Sequence, residues 1–390
     1  MGLNTLSPPR VPAGSFPPGE AEAIRHALLS WFRRRARDLP WRRTRNPYRV
    51  WLSEVMLQQT RVDTVVPYYR RFVRAFPSVQ ALAAAPLSRV LKLWEGLGYY
   101  ARARHLHAAA QRIMREHGGR LPSSAREWAE LPGVGRYTAA AIASITQGEP
   151  LAALDGNARR VLSRLVGLET ALDESRTVEQ LWSLAERLLD RARPGDFNQA
   201  LMELGATVCR PRNPDCGVCP LVRWCRAYAT GRQRELPVRA RRRAPGRIEA
   251  VAAAIFRGQR CLFVRRPARG LLGGLWELPG GVVPRGRNAT EMLVRHLREL
   301  LGVEVRVGRL LARVRHEFTH RSLRLRVYEC ALIRGRPRPR HHSKARWLPP
   351  ERSAELPLAR LDQKVLAELS RSRAGGAGRD GPIPRSVARK

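Results

Sequence analysis

From Glu20 to about Arg232 the apolar residues recur at intervals of three and four, and Gly/Pro turns separate one such run from the next. That period predicts helices over 21–37, 47–61, 62–75, 101–116, 137–146, 157–166 and 178–193. Beyond a basic, proline-containing stretch at 233–247 the period changes. Runs at 248–256, 261–265, 303–314 and 323–333 predict strands, with one helix at 290–301 between them. The expected organisation is an all-α domain over 20–232, a linker over 233–247 and an α+β domain over 248–369. Pro/Gly-rich residues 1–19 and the Gly/Arg-rich tail 370–390 are expected to be disordered.

Composition narrows the partners. The chain has 390 residues, 72 of them basic and 33 acidic, for a net charge of +39. That excess goes far beyond what solubility needs, and a polyanion is its natural counterweight, with nucleic acid the default. Lysine occurs only at Lys92, Lys344, Lys364 and Lys390. No apolar run approaches the length of a membrane span and the N-terminus lacks a signal pattern, so a soluble, intracellular, cytoplasmic protein is expected; a monomer is expected as well.

Two local patterns carry chemistry. Cys209, Cys216, Cys219 and Cys225 follow the spacing C-x6-C-x2-C-x5-C, close enough to enclose one metal centre. Zinc loops usually arrive as two CxxC pairs, and only Cys216/Cys219 is one here, which favours a [4Fe–4S] cluster over zinc. The remaining cysteines, Cys261 and Cys330, lie in apolar strand-like runs and read as reduced core residues. Upstream, LPGVGRYT over 131–138 is a glycine hairpin opening an alanine-rich helix. Gly133 and Gly135 let backbone N–H groups approach a phosphate.

These patterns fall in a wider series: RDLPWR at 37–42, WLSEVMLQQT at 51–60, WEGLGYY at 94–100, LDGNARR at 154–160 and NQALMELG at 198–205. Over nearly its whole helical part the chain resembles the helix-hairpin-helix DNA glycosylases of the endonuclease III superfamily, and within them the adenine glycosylases of the MutY type. The resemblance implies excision of adenine mispaired with 8-oxoguanine or guanine in double-stranded DNA, leaving an abasic site.

Cutting an N-glycosidic bond requires an acid for the leaving purine and an anion for the oxocarbenium-like sugar. Glu54 lies within the apolar run VWLSEVML, where desolvation raises a carboxyl pKa, and is the expected acid toward adenine N7. Asp155 reads locally as a helix N-cap. The resemblance instead faces it to the sugar, with Asn157 bonding the sugar or orienting water, and Arg160 meeting a phosphate or the aspartate. Bifunctional members of the superfamily carry a nucleophilic lysine at the position of Tyr137. With tyrosine there, and no lysine between Lys92 and Lys344, the reaction expected is monofunctional. The target base must also be flipped out of the duplex. Gln58, Gln59 and Thr60 are assigned to that work, with Gln59 entering the stack and Tyr99 wedging the opposite strand. Arg37, Trp41, Leu57 and Gln199 are assigned to the adenine pocket. Arg210, Arg212, Arg223 and Arg226 flank the cysteines as a cationic surface for phosphates.

The second domain resembles the Nudix fold through GGLWELPGG at 273–281 and the helix ending RHLRELLGV at 295–303. Active Nudix hydrolases hold magnesium on glutamates of this helix. Here His296 and Leu300 replace two of them and Glu299 remains, so recognition rather than hydrolysis is expected. The stretch RHEFTHR at 315–321 matches the family's lesion-reading loop and assigns 8-oxoguanine recognition to Phe318, Thr319 and His320. The competing readings, a bifunctional lyase, an active pyrophosphohydrolase and a non-catalytic DNA-binding protein, would respectively need the missing lysine, need the missing glutamates, and tolerate loss of Glu54 and Asp155.

Overall fold

The structure, a computed structural model, describes residues 16–17, 19–238, 246–318 and 321–376. The chain divides into two compact units, Met1–Ala83 with Ala108–Arg242, and Ala84–His107 with Arg243–Lys390. Residues 84–107, helical in pattern, thus group with the sheet-containing unit. Most of the 1–19 segment, part of the linker, and the end of the tail lie outside the described residues.

In the first unit the helices Glu20–Arg35, Gly156–Leu165, Ser175–Leu188 and Pro194–Thr207 turn their apolar stripes inward. Ile24, Leu28, Phe32, Leu162, Leu184, Phe197 and Leu204 meet in one core, against which Cys209, Cys219 and Cys225 also pack. Pro194–Thr207 is absent from the helices expected by period. Its seven-residue run ALMELGA is almost continuously apolar because both faces are covered, which blurs the 3.6 repeat.

The second unit holds a sheet of β1 (Gly246–Arg257), β2 (Arg260–Arg265), β3 (Trp276–Glu277), β4 (Gly280–Val283), β5 (Glu304–Glu317), β6 (Arg321–Arg334) and β7 (Lys344–Leu348). The strand order is β3-β2-β1-β6-β5, with β4 on β1 and β7 on β2. The β1/β6 pair is parallel and the others are antiparallel. Alternation explains the unbroken apolar run of β1. Ala250, Ala252 and Ala254 point to one core with Val365, Leu366 and Leu369 of helix Arg360–Gly376. Val251, Ala253 and Ile255 point to the other, with Leu293, Leu297 and Leu301 of helix Ala289–Leu301. Four elements depart from expectation: β3, β4, β7 and the last helix. β3, β4 and β7 are too short for a period to register. The last helix runs to Gly376, where disorder was expected after Leu369.

Candidate active site

A cleft of about 960 Å³ opens in the first unit. Its lining brings together Arg37, Trp41, Glu54, Leu57, Gln58, Gln59, Thr60, Tyr137, Asp155, Asn157, Arg160 and Gln199 from five separate stretches of sequence.

Glu54 sits in helix Pro47–Leu57, 6% exposed among Val50, Trp51, Leu52, Val55 and Met56. The Tyr137 hydroxyl donates to its Oε2 at 2.6 Å. Burial pushes the carboxyl up to about 7; the Tyr137 bond opposes this and neighbouring Asp155 adds to it. A carboxyl poised there can give up a proton at neutral pH. Tyr137 opens the helix Arg136–Thr146 behind the hairpin, where Gly133 takes φ 79° and Gly135 is the N-cap. Its own ionisation is pushed well up by burial and by the two carboxyls, so it acts as a donor.

Asp155 is the N-cap of helix Gly156–Leu165, accepting the Ala158 amide at 2.6 Å and Asn157 Nδ2 at 2.9 Å. Cap and cleft residue are therefore one side chain. Burial raises its pKa, and the bonds from Ala158 and Asn157 with the charge of Arg160 pull the other way. Asn157 passes the connection on, its Oδ1 accepting Arg160 Nη2 at 2.8 Å. Arg160 is 7% exposed and also donates to the carbonyls of Gly205 at 2.7 Å and Cys209 at 2.8 Å. Of the two assignments made for it, these bonds run toward the aspartate network and the cysteine loop rather than outward to a phosphate.

Sequence reasoning passed over Glu203. This side chain, 1% exposed, is held by Arg37 Nε at 2.7 Å and Arg42 Nη2 at 2.8 Å. Burial pulls its pKa upward, but the bonds from Arg37 and Arg42 outweigh that and carry it down to about 2. Arg37 therefore braces the cleft wall. The available signal was an acid within the apolar run ALMEL, the same signal that picked out Glu54. Trp41 lines the cleft while its ring packs edge-on against Tyr69 at 5.3 Å. Gln58 Nε2 donates to Thr138 Oγ1 at 3.2 Å, and Gln59 takes φ 56°, ending helix Pro47–Leu57 in a left-handed turn at the rim.

Cys209, Cys216, Cys219 and Cys225 face one cavity together with Arg164, Val208, Val222 and Tyr228. Burial and the other three sulfurs push Cys219 up to about 12. Arg164, also unforeseen, is 2% exposed and donates from Nη1 to Cys209 Sγ at 3.3 Å and to the Arg210 carbonyl at 2.7 Å. The four thiols share this cavity with the Asp215 carboxylate, and no imidazole lines it. Among the described residues no trio of Cys, His, Asp or Glu is grouped as a single metal ion would require.

In the second unit, Nε2 of His296 meets the Val282 carbonyl at 3.0 Å, and a Cβ on Gly281 would lie 2.6 Å from it. Imidazole thus fills the space between helix and glycine turn. Leu300 packs against the core, and Glu299 is paired with Arg295 at 2.8 Å. Phe318 directly follows β5, its amide bonded to the Arg321 carbonyl at 2.8 Å and its ring 4.6 Å edge-on from His316. Thr319 and His320 lie outside the described residues. Tyr99 belongs to this unit and not to the cleft.

A family model described as HhH-GPD superfamily base excision DNA repair protein matches residues 52–187, and one described as NUDIX domain matches residues 251–368. Fold and cleft together define a base-excision DNA glycosylase of the helix-hairpin-helix class joined to a Nudix-like domain. The adenine DNA glycosylase of Homo sapiens is 39% identical over 389 residues, covering 85% of this chain and 71% of that protein. That of Rattus norvegicus is 37% identical over 410 residues, covering 91% and 80%. The chain belongs to the adenine DNA glycosylase family.

Proposed function

We propose that the enzyme is a monofunctional glycosylase that hydrolyses the bond to adenine opposite 8-oxoguanine, and more weakly opposite guanine, in duplex DNA. The observation that carries this is the Glu54–Tyr137 pair, a buried carboxyl poised near 7 and bonded by a phenol where a lyase would need an amine. Glu54 delivers its proton to N7 of the flipped adenine. As the bond to C1′ lengthens, electrons leave with the neutralised purine and positive charge grows on the sugar. Asp155, fixed by the Ala158 amide and Asn157, stands as the counter-charge, stabilising the cation or bonding to it transiently before water adds at C1′. Trp41, Leu57 and Gln199 shape the base pocket, and Arg37 with Arg42 anchors its wall through Glu203.

The four cysteines fit a [4Fe–4S] cluster: four thiols face one cavity, and only Cys216 and Cys219 form the CxxC pair that a zinc loop usually carries twice. Bound there, the cluster supplies a cross-link that keeps the cationic loop folded. Arg160 links that loop to Asp155 through Asn157. The Nudix-like unit serves as the reader, and Phe318 with Thr319 and His320 answers the O8 and N7–H that distinguish 8-oxoguanine from guanine.

End-labelled duplexes carrying A:8-oxoguanine, A:G, G:8-oxoguanine or thymine glycol test the reading directly. Adenine release from the first two is expected, with strand breaks only after alkali. Breaks without alkali, or cleavage at thymine glycol, would overturn it. Joint replacement of Phe318, Thr319 and His320 by alanine should lower the preference for A:8-oxoguanine over A:G. An unchanged preference would remove the reader role.

A further inference from the structure

Tyr99 is 44% exposed at the tip of a strained loop: its φ is 44°, between Gly96 at 100° and Gly98 at 72° on one side and helix Ala101–His117 on the other. A left-handed non-glycine residue persists only where its surroundings over-determine it. Below it, the buried Arg102 guanidinium lies 5.6 Å from the Tyr99 ring and 5.3 Å from that of Trp94, and donates to the carbonyls of Leu97 and Gly98 at 3.2 Å each.

The restraint on this loop comes from far along the chain. Glu95 Oε1 accepts the Leu358 amide at 2.9 Å, while its Oε2 holds Lys92 Nζ at 2.5 Å, which also donates to the Leu356 carbonyl at 3.1 Å. The Tyr100 hydroxyl donates to the Leu358 carbonyl at 3.0 Å and accepts the Gly96 amide at 3.3 Å. Arg104 forks onto the carbonyls of Gly270 at 3.0 Å and Gly273 at 3.2 Å. Residues 356–358 are themselves fixed to the sheet, where the Trp276 amide of β3 bonds Pro357 at 3.0 Å. The two residues flanking the Tyr99 turn, Glu95 and Tyr100, are thus pinned to one short segment of the Nudix-like part, and all of these contacts lie within one compact unit.

We propose that the Nudix-like part sets the position of Tyr99 for insertion into the base stack opposite the flipped nucleotide, with Glu95 and Tyr100 as positioning residues and Arg104 as a brace. Tyr99 falls within the 52–187 match to the HhH-GPD superfamily, yet its turn is held by residues 356–358 of the NUDIX match, so reading and wedging are mechanically joined. This rests on the reading of Tyr99 as a residue that enters DNA.

The test uses the full-length chain and duplexes with 2-aminopurine beside the opposite base, whose fluorescence reports unstacking. Tyr99→Ala, Glu95→Ala, Tyr100→Phe and the doubles with Tyr99→Ala are compared for that signal and for single-turnover adenine release from A:8-oxoguanine and A:G. Glu95→Ala, and Tyr100→Phe more mildly, should weaken both the unstacking signal and the preference for A:8-oxoguanine. The loss expected for Glu95→Ala is about tenfold, the scale of one charge-assisted hydrogen bond. In the Tyr99→Ala background neither should add anything, because its effect passes through a ring already removed. Tyr100→Phe keeps the buried ring and serves if Glu95→Ala lowers Tm severely. Additive effects, or full unstacking in both folded variants, would overturn the proposal. A Tyr99→Ala protein with normal unstacking and preference would instead overturn the insertion reading, and the proposal with it.

Discussion

Replacing Glu54 by glutamine separates catalysis from stability in a way the structure makes quantitative. The carboxyl moves from its ordinary 4.5 to about 7 on folding, chiefly through burial. That interval of about 2.5 pH units is worth roughly 3 kcal/mol. The sign follows from linkage: a carboxyl with a raised folded-state pKa costs nothing below pH 4.5, where both states are protonated. Between pH 4.5 and about 7 the unfolded chain ionises and the folded one does not, so the fold progressively loses stability. Glutamine is never ionised and still offers an oxygen to the Tyr137 hydroxyl. Glu54→Gln should therefore gain stability relative to the parent from pH 5 to pH 8, by up to about 3 kcal/mol. It should at the same time lose at least about 10²-fold in single-turnover adenine release, the scale of a positioned acid. In the parent, release should fall above pH 7 and approach a tenfold drop per pH unit beyond about pH 8. Urea unfolding of both proteins at four pH values, with burst kinetics in the same buffers, reads all three. A stability difference that does not change with pH would refute the assignment of a poised buried acid, and so would near-parental release by the glutamine variant.

The other side chains of the cleft give contrasting outcomes. Asp155→Asn should cost about 10²-fold or more in release, while duplex binding persists in a filter or anisotropy assay; near-parental release would remove Asp155 from the chemistry. Glu203→Gln should destabilise the fold by roughly 3 kcal/mol, since it strips the partner from two arginines, with Arg37 at 36% exposure recovering part of the loss in water. Because Glu203 sits near 2, the stability it contributes is present above pH 4.5 and lost as the pH falls toward 2, which acid titration of parent and variant will show. Borohydride should trap no covalent DNA complex with the parent enzyme, given Tyr137 in place of an amine. Anaerobically purified protein should be brown with about four irons per chain, and Cys216→Ser should reduce iron content, Tm and DNA affinity together; one zinc in a colourless, active protein would refute the cluster.

The helical domain was legible because amphipathic helices announce themselves over three or four turns, and most helix bounds fall within a few residues of the expected ones. What escaped has physical reasons. Strands such as β3, only two residues long, are held by register with β2 and leave no periodic trace. The grouping of residues 84–107 with the Nudix-like part depends on hydrogen bonds such as Tyr100 to Leu358, whose partners lie 258 residues apart. At the site, single acids in apolar runs were visible, but their roles were not separable, since the run around Glu203 looks much like the run around Glu54. The difference is made by Arg37 and Arg42, more than 160 positions away from Glu203 in sequence.

That difference is also how one cleft hosts three acids in three different settings. Glu203 is resolved by cations, with two guanidiniums holding it ionised to about 2, which leaves it structural and unreactive. Asp155 is served by dipoles: it stands at a helix N-terminus and accepts an amide N–H and the Asn157 amide, which favour its charged form against the burial that raises its pKa, and in the proposed reaction that charge faces the sugar. Glu54 is bonded by a phenol among apolar walls, with the Asp155 charge raising its pKa and the more distant Arg42 charge only partly offsetting this, and it is resolved by keeping its proton until about 7. Brace, counter-charge and acid are thus assigned by surroundings rather than by residue type. The sequence change most damaging to this arrangement is one that swaps surroundings. An arginine introduced at Leu57 beside Glu54 should draw its pKa down and abolish proton delivery while leaving Glu54 itself in place. The alkaline limb of the pH–rate profile would then move toward lower pH as release is lost, and a profile that stayed fixed would show that the charge state of Glu54 does not govern the reaction.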